Sequence, residues 1–238
     1  MLKELKKELE NKANPQQAEI LQKFFKTKKG QYGEGDIFLG LNVPQQRAIC
    51  KSYENLSIRQ IKKLLKSKIH EHRLCGLFIL IALYKKADKK GRDKIFKFYL
   101  KNAKRINNWD LVDLSAPKIV GEYLIEHPKQ IKILEKLANS KNLWEKRIAM
   151  VATFSFIKKQ EHMEEVLKIA GLLLKDSHDL IHKAVGWMLR EFGKKDMEEL
   201  KVFLRCEYKK LPRTTLRYAI EKFPEGERKK YLEGKWKK

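Results

Sequence analysis

Cysteine is scarce in this chain and never closely paired. Cys50, Cys75 and Cys206 lie far apart with no C-x-x-C among them, so neither a disulfide framework nor a cysteine zinc site is expected. Each falls within an apolar helical pattern, and buried, reduced thiols are the expectation. Acidic residues are also short: 30 Asp and Glu face 54 Lys and Arg, a formal charge of +24. A surplus of that size attracts polyanions and favours nucleic acid over uncharged partners. No long hydrophobic run is present. The longest apolar stretch, residues 74–84, is too short to cross a bilayer and suits a buried helix. Residues 1–8 mix both signs of charge without an apolar core, unlike a secretory signal. A soluble, cytoplasmic, membrane-free protein is expected.

Several kinds of chemistry lack their residues. No glycine-rich phosphate motif follows a strand pattern, and no spacing supports a Ser-His-Asp or Cys-His arrangement. His178 and His182 stand four apart, yet no glutamate follows His178 in the H-E-x-x-H manner and no third ligand accompanies them, so no metal site is expected.

What the chain does have is helical periodicity. Apolar residues recur at three- and four-residue intervals almost throughout, with no convincing period-two run. Helices are expected at roughly 2–12, 16–27, 44–53, 58–67, 70–86, 88–103, 109–126, 129–139, 142–159, 162–175, 178–193, 196–208, 212–222 and 226–233. Ser57 suits an N-cap, Pro128 a first helical position, and Gly193 a left-handed helix stop. Pro212 and Pro224 bracket a short helix. Helix pairs follow one another every ~35–45 residues, the size of HEAT-type repeats. The expected fold is all-α, HEAT-like (ARM/HEAT) helical repeats forming a curved α-α superhelix, with a plain helical bundle as the alternative. With no dividing linker, residues 1–238 are expected to form a single domain. Only residues 30–40, rich in glycine, resist a helix and predict a turn-rich functional loop.

Within Asn108-Trp109-Asp110-Leu111-Val112-Asp113, Trp109 and Asp113 stand four apart and share one helix face. Arg147 in Trp144-Glu145-Lys146-Arg147 and Trp187 in Lys183-Ala184-Val185-Gly186-Trp187-Met188-Leu189-Arg190-Glu191 are candidate partners. Pro117, four residues past Asp113, removes one helical donor and predicts a bend that angles this pair. With Phe38–Arg47 and Arg213–Lys222, these segments resemble the AlkD-like DNA alkylation repair family over about residues 16–222. The loop at 30–40 is longer than the family pattern, which bears on lesion-side DNA contacts.

The resemblance implies a HEAT-like DNA glycosylase that removes cationic N3- and N7-alkylated purines. It also implies no metal or cofactor, an abasic product, and a lesion left in the base stack. Trp109, Asp113 and Trp187 would form the catalytic cleft, and Arg147 would either pair with Asp113 or clamp a phosphate. Phe24 stands where the family places an aromatic facing the lesion. Asn42, Arg47, Lys183 and Arg190 lie in or beside the matching motifs and are the candidate DNA contacts.

The chemistry of these residue types agrees. Alkylation makes the purine a cationic leaving group, and bond stretching moves positive charge to the sugar, as in glycoside hydrolysis. Indole faces attract that cation, and a carboxylate stabilises it and orients water. The expected partner is double-stranded DNA carrying alkylated purines, bound by a monomer. Two other readings remain at this point: a non-catalytic HEAT-like nucleic-acid-binding protein, and a protein-interaction scaffold with a basic surface. Trp109 and Trp187 would then be packing aromatics. Trp144 suits packing between helices, and Trp236 sits in a basic tail.

Overall fold

The computed structural model describes residues 1–235, so Trp236 lies outside the described residues. The fold is all-α. Among the described residues no strand forms, and the sole bridge-type pairing is the isolated contact of Ile37 with Ile69. No helix among them is long and apolar enough to cross a membrane. The helices gather into two compact units, residues 1–115 and Ala116 onward.

The first unit contains α1 (Leu2–Asn11), α2 (Pro15–Phe24), α3 (Val43–Lys51), α4 (Ile58–Leu65), α5 (His70–Lys86), α6 (Lys89–Lys101) and all but the last residue of α7 (Trp109–Ala116). Helix starts follow their caps. Asn42 and Ser57 each accept from the backbone three residues on, while Gln45 and Gln60 reach back to complete capping boxes, which satisfies amides the helix leaves unpaired. Helix α5 is the spine. It packs against α3, α4 and α6 and is buried on nearly every side, as a helix apolar all round must be. Its first four residues, His70, Glu71, His72 and Arg73, are nevertheless charged or polar and also buried.

The second unit opens on a π turn at Pro117–Gly121. The expected helix at 109–126 takes this π turn where Pro117 lacks its amide, the place at which the proline predicts an irregularity. Then come α8 (Glu122–Glu126), α9 (Ile133–Ala138), α10 (Leu143–Ala152), α11 (Phe154–Lys159), α12 (Met163–Leu173), α13 (Asp179–Gly193), α14 (Met197–Glu207), α15 (Arg213–Ala219) and α16 (Glu225–Glu233). Pro128 starts a short 3-10 turn, and Trp144 is buried in the core as expected. The expected helix at 142–159 divides at Thr153, whose hydroxyl bonds the Met150 carbonyl at 2.6 Å and competes with the helical ladder.

Two expectations change. Gly193 does not take the left-handed conformation; α13 ends at Lys194 with right-handed geometry. Gly193 is instead a close-packing residue, because a Cβ there would lie 2.3 Å from Leu200 Cδ2. Cys206 is exposed while Cys50 and Cys75 are buried, since α14 buries the face carrying Leu200 and Leu204.

Helix α13 packs tightly on α15, and Gly186 permits the approach. A Cβ at that position would lie 2.5 Å from Tyr218 Cβ and 2.7 Å from the Thr215 carbonyl oxygen. Neither atom is the free end of a flexible chain. Gly186→Ala should therefore cost about 1–3 kcal/mol through overpacking, read as a lower urea midpoint at unchanged slope. An unchanged midpoint would show that the two helices separate freely.

Candidate active site

Helix α7 begins where sequence periodicity placed it. Asn108 is fully buried, and its side-chain oxygen accepts from the Trp109 amide at 2.8 Å. Trp109 and Asp113 follow four residues apart, both half-buried, so one face of α7 presents an indole and a carboxylate one turn apart. Trp109 is held on several sides. Its ring stacks on Phe25 (centroids 5.2 Å apart, planes at 22°) and meets the edge of Phe24 at 6.0 Å. Its indole N–H donates to the Tyr32 hydroxyl at 3.2 Å. Phe24 itself is 60% exposed, a large ring in solvent beside the candidate site.

Tyr32 belongs to the glycine-rich segment, which is turn-rich as expected. Helix α5 straps that segment down. Glu71 accepts from the amides of Leu39, Gly40 and Leu41 at 2.9–3.3 Å. Gly40 has φ +90°, and a Cβ there would lie 2.1 Å from the Asn14 carbonyl oxygen, so only glycine fits. Arg73 donates to Asp36 at 2.5 Å and to the carbonyls of Ser67 and Lys68 at 3.0 and 3.2 Å. His70 Nε2 bonds Asp110 on α7 at 2.7 Å, and its Nδ1 lies 3.5 Å from Asp36.

These contacts set the charge states. Burial alone would lower the His70 pKa, but the charge and hydrogen bond of Asp110 and the bond to Asp36 outweigh it, despite Arg73, and the net direction is upward. Asp36 is pushed up by burial, yet His70 and Arg73 together hold it below its ordinary value. His72 is driven to about 4 by burial and by the charges of Lys6 and Arg73. The signs oppose one another. A raised His70 stabilises the fold below about pH 6.5 and loses that contribution as pH rises through its folded value. A depressed His72 stabilises it above about pH 6.5 and loses that as pH falls toward its folded value. The melting temperature should therefore peak near about pH 6.5 and fall on both sides. His70→Gln should flatten the alkaline limb, and a wild-type melting temperature still climbing through about pH 8 would contradict the assignment.

In the second unit the other candidates cluster around α13. Lys183, Trp187 and Arg190 occupy positions i, i+4 and i+7, one helix face. Trp187 is half-buried beside Phe154, with centroids 5.7 Å apart. Lys183 meets Asp179 at 2.7 Å, the two side chains being 42% and 57% exposed. Arg190 is engaged by Glu221 and, at 3.4 Å, by Glu191. Arg147 is buried and donates to the Leu180 carbonyl in the first turn of α13 at 2.5 Å. His178 caps α13 by accepting from the Leu180 amide, and His182 bonds the Asp176 carbonyl.

Unit by unit, then, Trp109, Asp113 and Phe24 come together on the first, and Lys183, Trp187, Arg190 and Arg147 on the second. Asn42 caps α3, and Arg47 sits at the middle of that helix with its guanidinium over the Phe78 ring at 4.3 Å. Sequence reasoning marked the segment that carries Tyr32 and Asp36 without singling out either residue, and it passed over Phe25, His70, Glu71, Arg73 and Asp110. One signal pointed to His70, Glu71 and Arg73: four polar residues open a helix whose middle is apolar.

Comparison with known proteins bears on this arrangement. A family model described as DNA alkylation repair enzyme matches residues 5–223. No curated protein matches significantly. The solved structure of a predicted DNA alkylation repair enzyme from Enterococcus faecalis is similar with a TM-score of 0.71 at 16% identity, covering 90% of this chain and 97% of that one. AlkD2 from Streptococcus mutans gives 0.58 at 19% identity, covering 88% and 98%. The smu.31 protein from Streptococcus mutans UA159 gives 0.56 at 20% identity, covering 76% and 92%. At such identities these structures speak for the shared helical fold.

Proposed function

The chain belongs to the DNA alkylation repair enzyme family, and from that premise we propose that it is a monofunctional DNA glycosylase acting on cationic N3- and N7-alkylated purines in duplex DNA. The observation that carries this reading is the face of α7. Trp109 is fixed by the Phe25 stack and the Tyr32 hydroxyl, with Asp113 one turn away and both half-buried. A half-buried carboxylate one turn from a fixed aromatic suits a reaction whose charge develops on carbon. The departing base needs little protonation because it already carries positive charge. The deoxyribose then becomes electron-poor, and Asp113 stabilises that charge and orients the attacking water. Each indole face contributes roughly 0.5–2 kcal/mol of attraction to such a cation.

Trp187 is proposed as the second cation-facing ring, and Arg147 as a phosphate clamp held in place through the Leu180 carbonyl. Phe24 and Asn42 are proposed to contact DNA beside the lesion. Arg47 and Lys183 are proposed backbone contacts, Lys183 because its exposed pair with Asp179 yields readily to a phosphate. Arg190, committed to two glutamates, contributes less. Lys183→Ala should flatten the dependence of DNA affinity on salt by about one counterion, measured as the slope of log Kd against log salt. An unchanged slope removes Lys183 from the DNA path.

The decisive experiment is a single-turnover assay on a duplex carrying N7-methylguanine, with protein in large excess. Release of the free base supports the glycosylase. Salt-sensitive binding without release supports a non-catalytic DNA-binding protein instead.

A further inference from the structure

The aromatic packing behind Trp109 forms a closed circuit. Trp109 stacks on Phe25 (5.2 Å, 22°), Phe25 on Phe38 (5.0 Å, 17°), and Phe38 on the imidazole of His70 (4.5 Å, 19°). His70 Nε2 then bonds Asp110 at 2.7 Å, and Asp110 is joined to Trp109 by one peptide bond. Four rings and one carboxylate thus lead from the indole into the buried interior and back to its own backbone. Phe25, Phe38 and His70 are at most 7% exposed, so little space is left for any member to tilt alone.

We propose that His70 is a positioning residue for the proposed glycosylase site, setting the plane of the Trp109 indole through the Phe38–Phe25 pile on one side and through Asp110 on the other. The inference rests on the glycosylase reading only for its effect on rate; the geometric part stands without it. Two observations favour a built device over incidental packing. First, the charged groups facing His70 come from three elements: Asp36 from the glycine-rich segment, Arg73 from α5 and Asp110 from α7. The imidazole therefore ties the loop that carries Tyr32 to the helix that carries Trp109. Second, Tyr32 receives the indole N–H from that same loop, so the ring is fixed at its polar edge as well as on its face. A stacked imidazolium is also attracted to the ring above it, and the direction of the His70 shift favours the charged form.

The consequence is a division of labour. Asp113 and Trp109 face substrate, while His70 never touches it. A small misplacement of a group at the reacting centre lowers rate far more than affinity. His70→Phe keeps a ring in the pile and removes the donor to Asp110; Asp110→Ala keeps the pile and removes the acceptor. Each should slow single-turnover release of N7-methylguanine by about tenfold and leave duplex affinity within about twofold.

The structural readout is the indole N–H resonance of Trp109 in a nitrogen-edited NMR spectrum of the full chain, identified by its loss in Trp109→Phe. It should move in both variants while the other indole resonances stay, and in the wild type it should follow a titration that His70→Phe abolishes. Should His70→Phe not fold, Asp110→Ala decides by the same resonance. A Trp109 resonance that stays in place, indole resonances that all move together, or a displaced Trp109 resonance with wild-type release would each overturn the proposal. If the wild type releases no base, the glycosylase reading falls, and the resonance still decides whether His70 positions the indole.

Discussion

Asp113→Asn should yield a folded protein that binds duplex DNA as the wild type does and releases N7-methylguanine about two to three orders of magnitude more slowly, the loss expected on removing a preorganised charge-stabilising group. The substitution keeps the shape of the side chain and removes its negative charge. Asp113 sits half-buried in the middle of α7, so an amide is accommodated there without opening a cavity. Its charge reaches the surrounding protein: the buried Tyr99 hydroxyl is raised chiefly by burial, with the hydrogen bond to Ser115 opposing and the Asp113 charge adding to the rise. The effect should fall on the chemical step alone. Equal loss of affinity and rate would move Asp113 from the reaction to DNA binding, and undiminished release would end its catalytic assignment.

Much of the fold was readable because its signals are local. The capping boxes at Asn42 and Ser57 need only a residue and its neighbour three positions on, and prolines 212 and 224 precede α15 and α16 for the same short-range reason. The face shared by Trp109 and Asp113 is likewise a consequence of helical pitch. What escaped was set by distance along the chain. The Trp109 indole finds its acceptor 77 residues away at Tyr32, and His70 finds Asp110 at a separation of 40. No periodicity encodes such pairings. His70 and His72, two residues apart, point to different sides of their helix, but the sequence does not show that one is held between carboxylates and the other driven neutral by burial and nearby cations. Thr153 interrupts a helix through a hydroxyl that hydrophobic pattern does not register, whereas the irregularity at Pro117 follows from an amide whose absence is plain in the sequence.

Arg73→Met should be the most destabilising single change in the first unit, costing about 3–5 kcal/mol, because it strands a buried carboxylate. Asp36 and Arg73 have side chains only 4% and 3% exposed and meet at 2.5 Å. Without the guanidinium, Asp36 keeps His70 nearby and a long contact from Asn108 at 3.5 Å, too little to replace solvation. The Ser67 and Lys68 carbonyls also lose a donor. The pH dependence identifies the cause. Asp36 is held below its ordinary value, so its contribution is present above about pH 4 and lost as pH falls through the folded value. With Arg73 gone that folded value rises, and the acid limb of stability should move to higher pH. Replacing both partners, Asp36→Leu with Arg73→Met, should recover part of the loss, since two apolar side chains leave no uncompensated charge. Recovery stays incomplete because the two carbonyls remain short of a donor. A double-mutant cycle by urea unfolding should give a coupling of at least about 2 kcal/mol. Additive effects would mean that solvent reaches the pair, and the loop bearing Tyr32 would then lack the anchor that fixes the indole of Trp109.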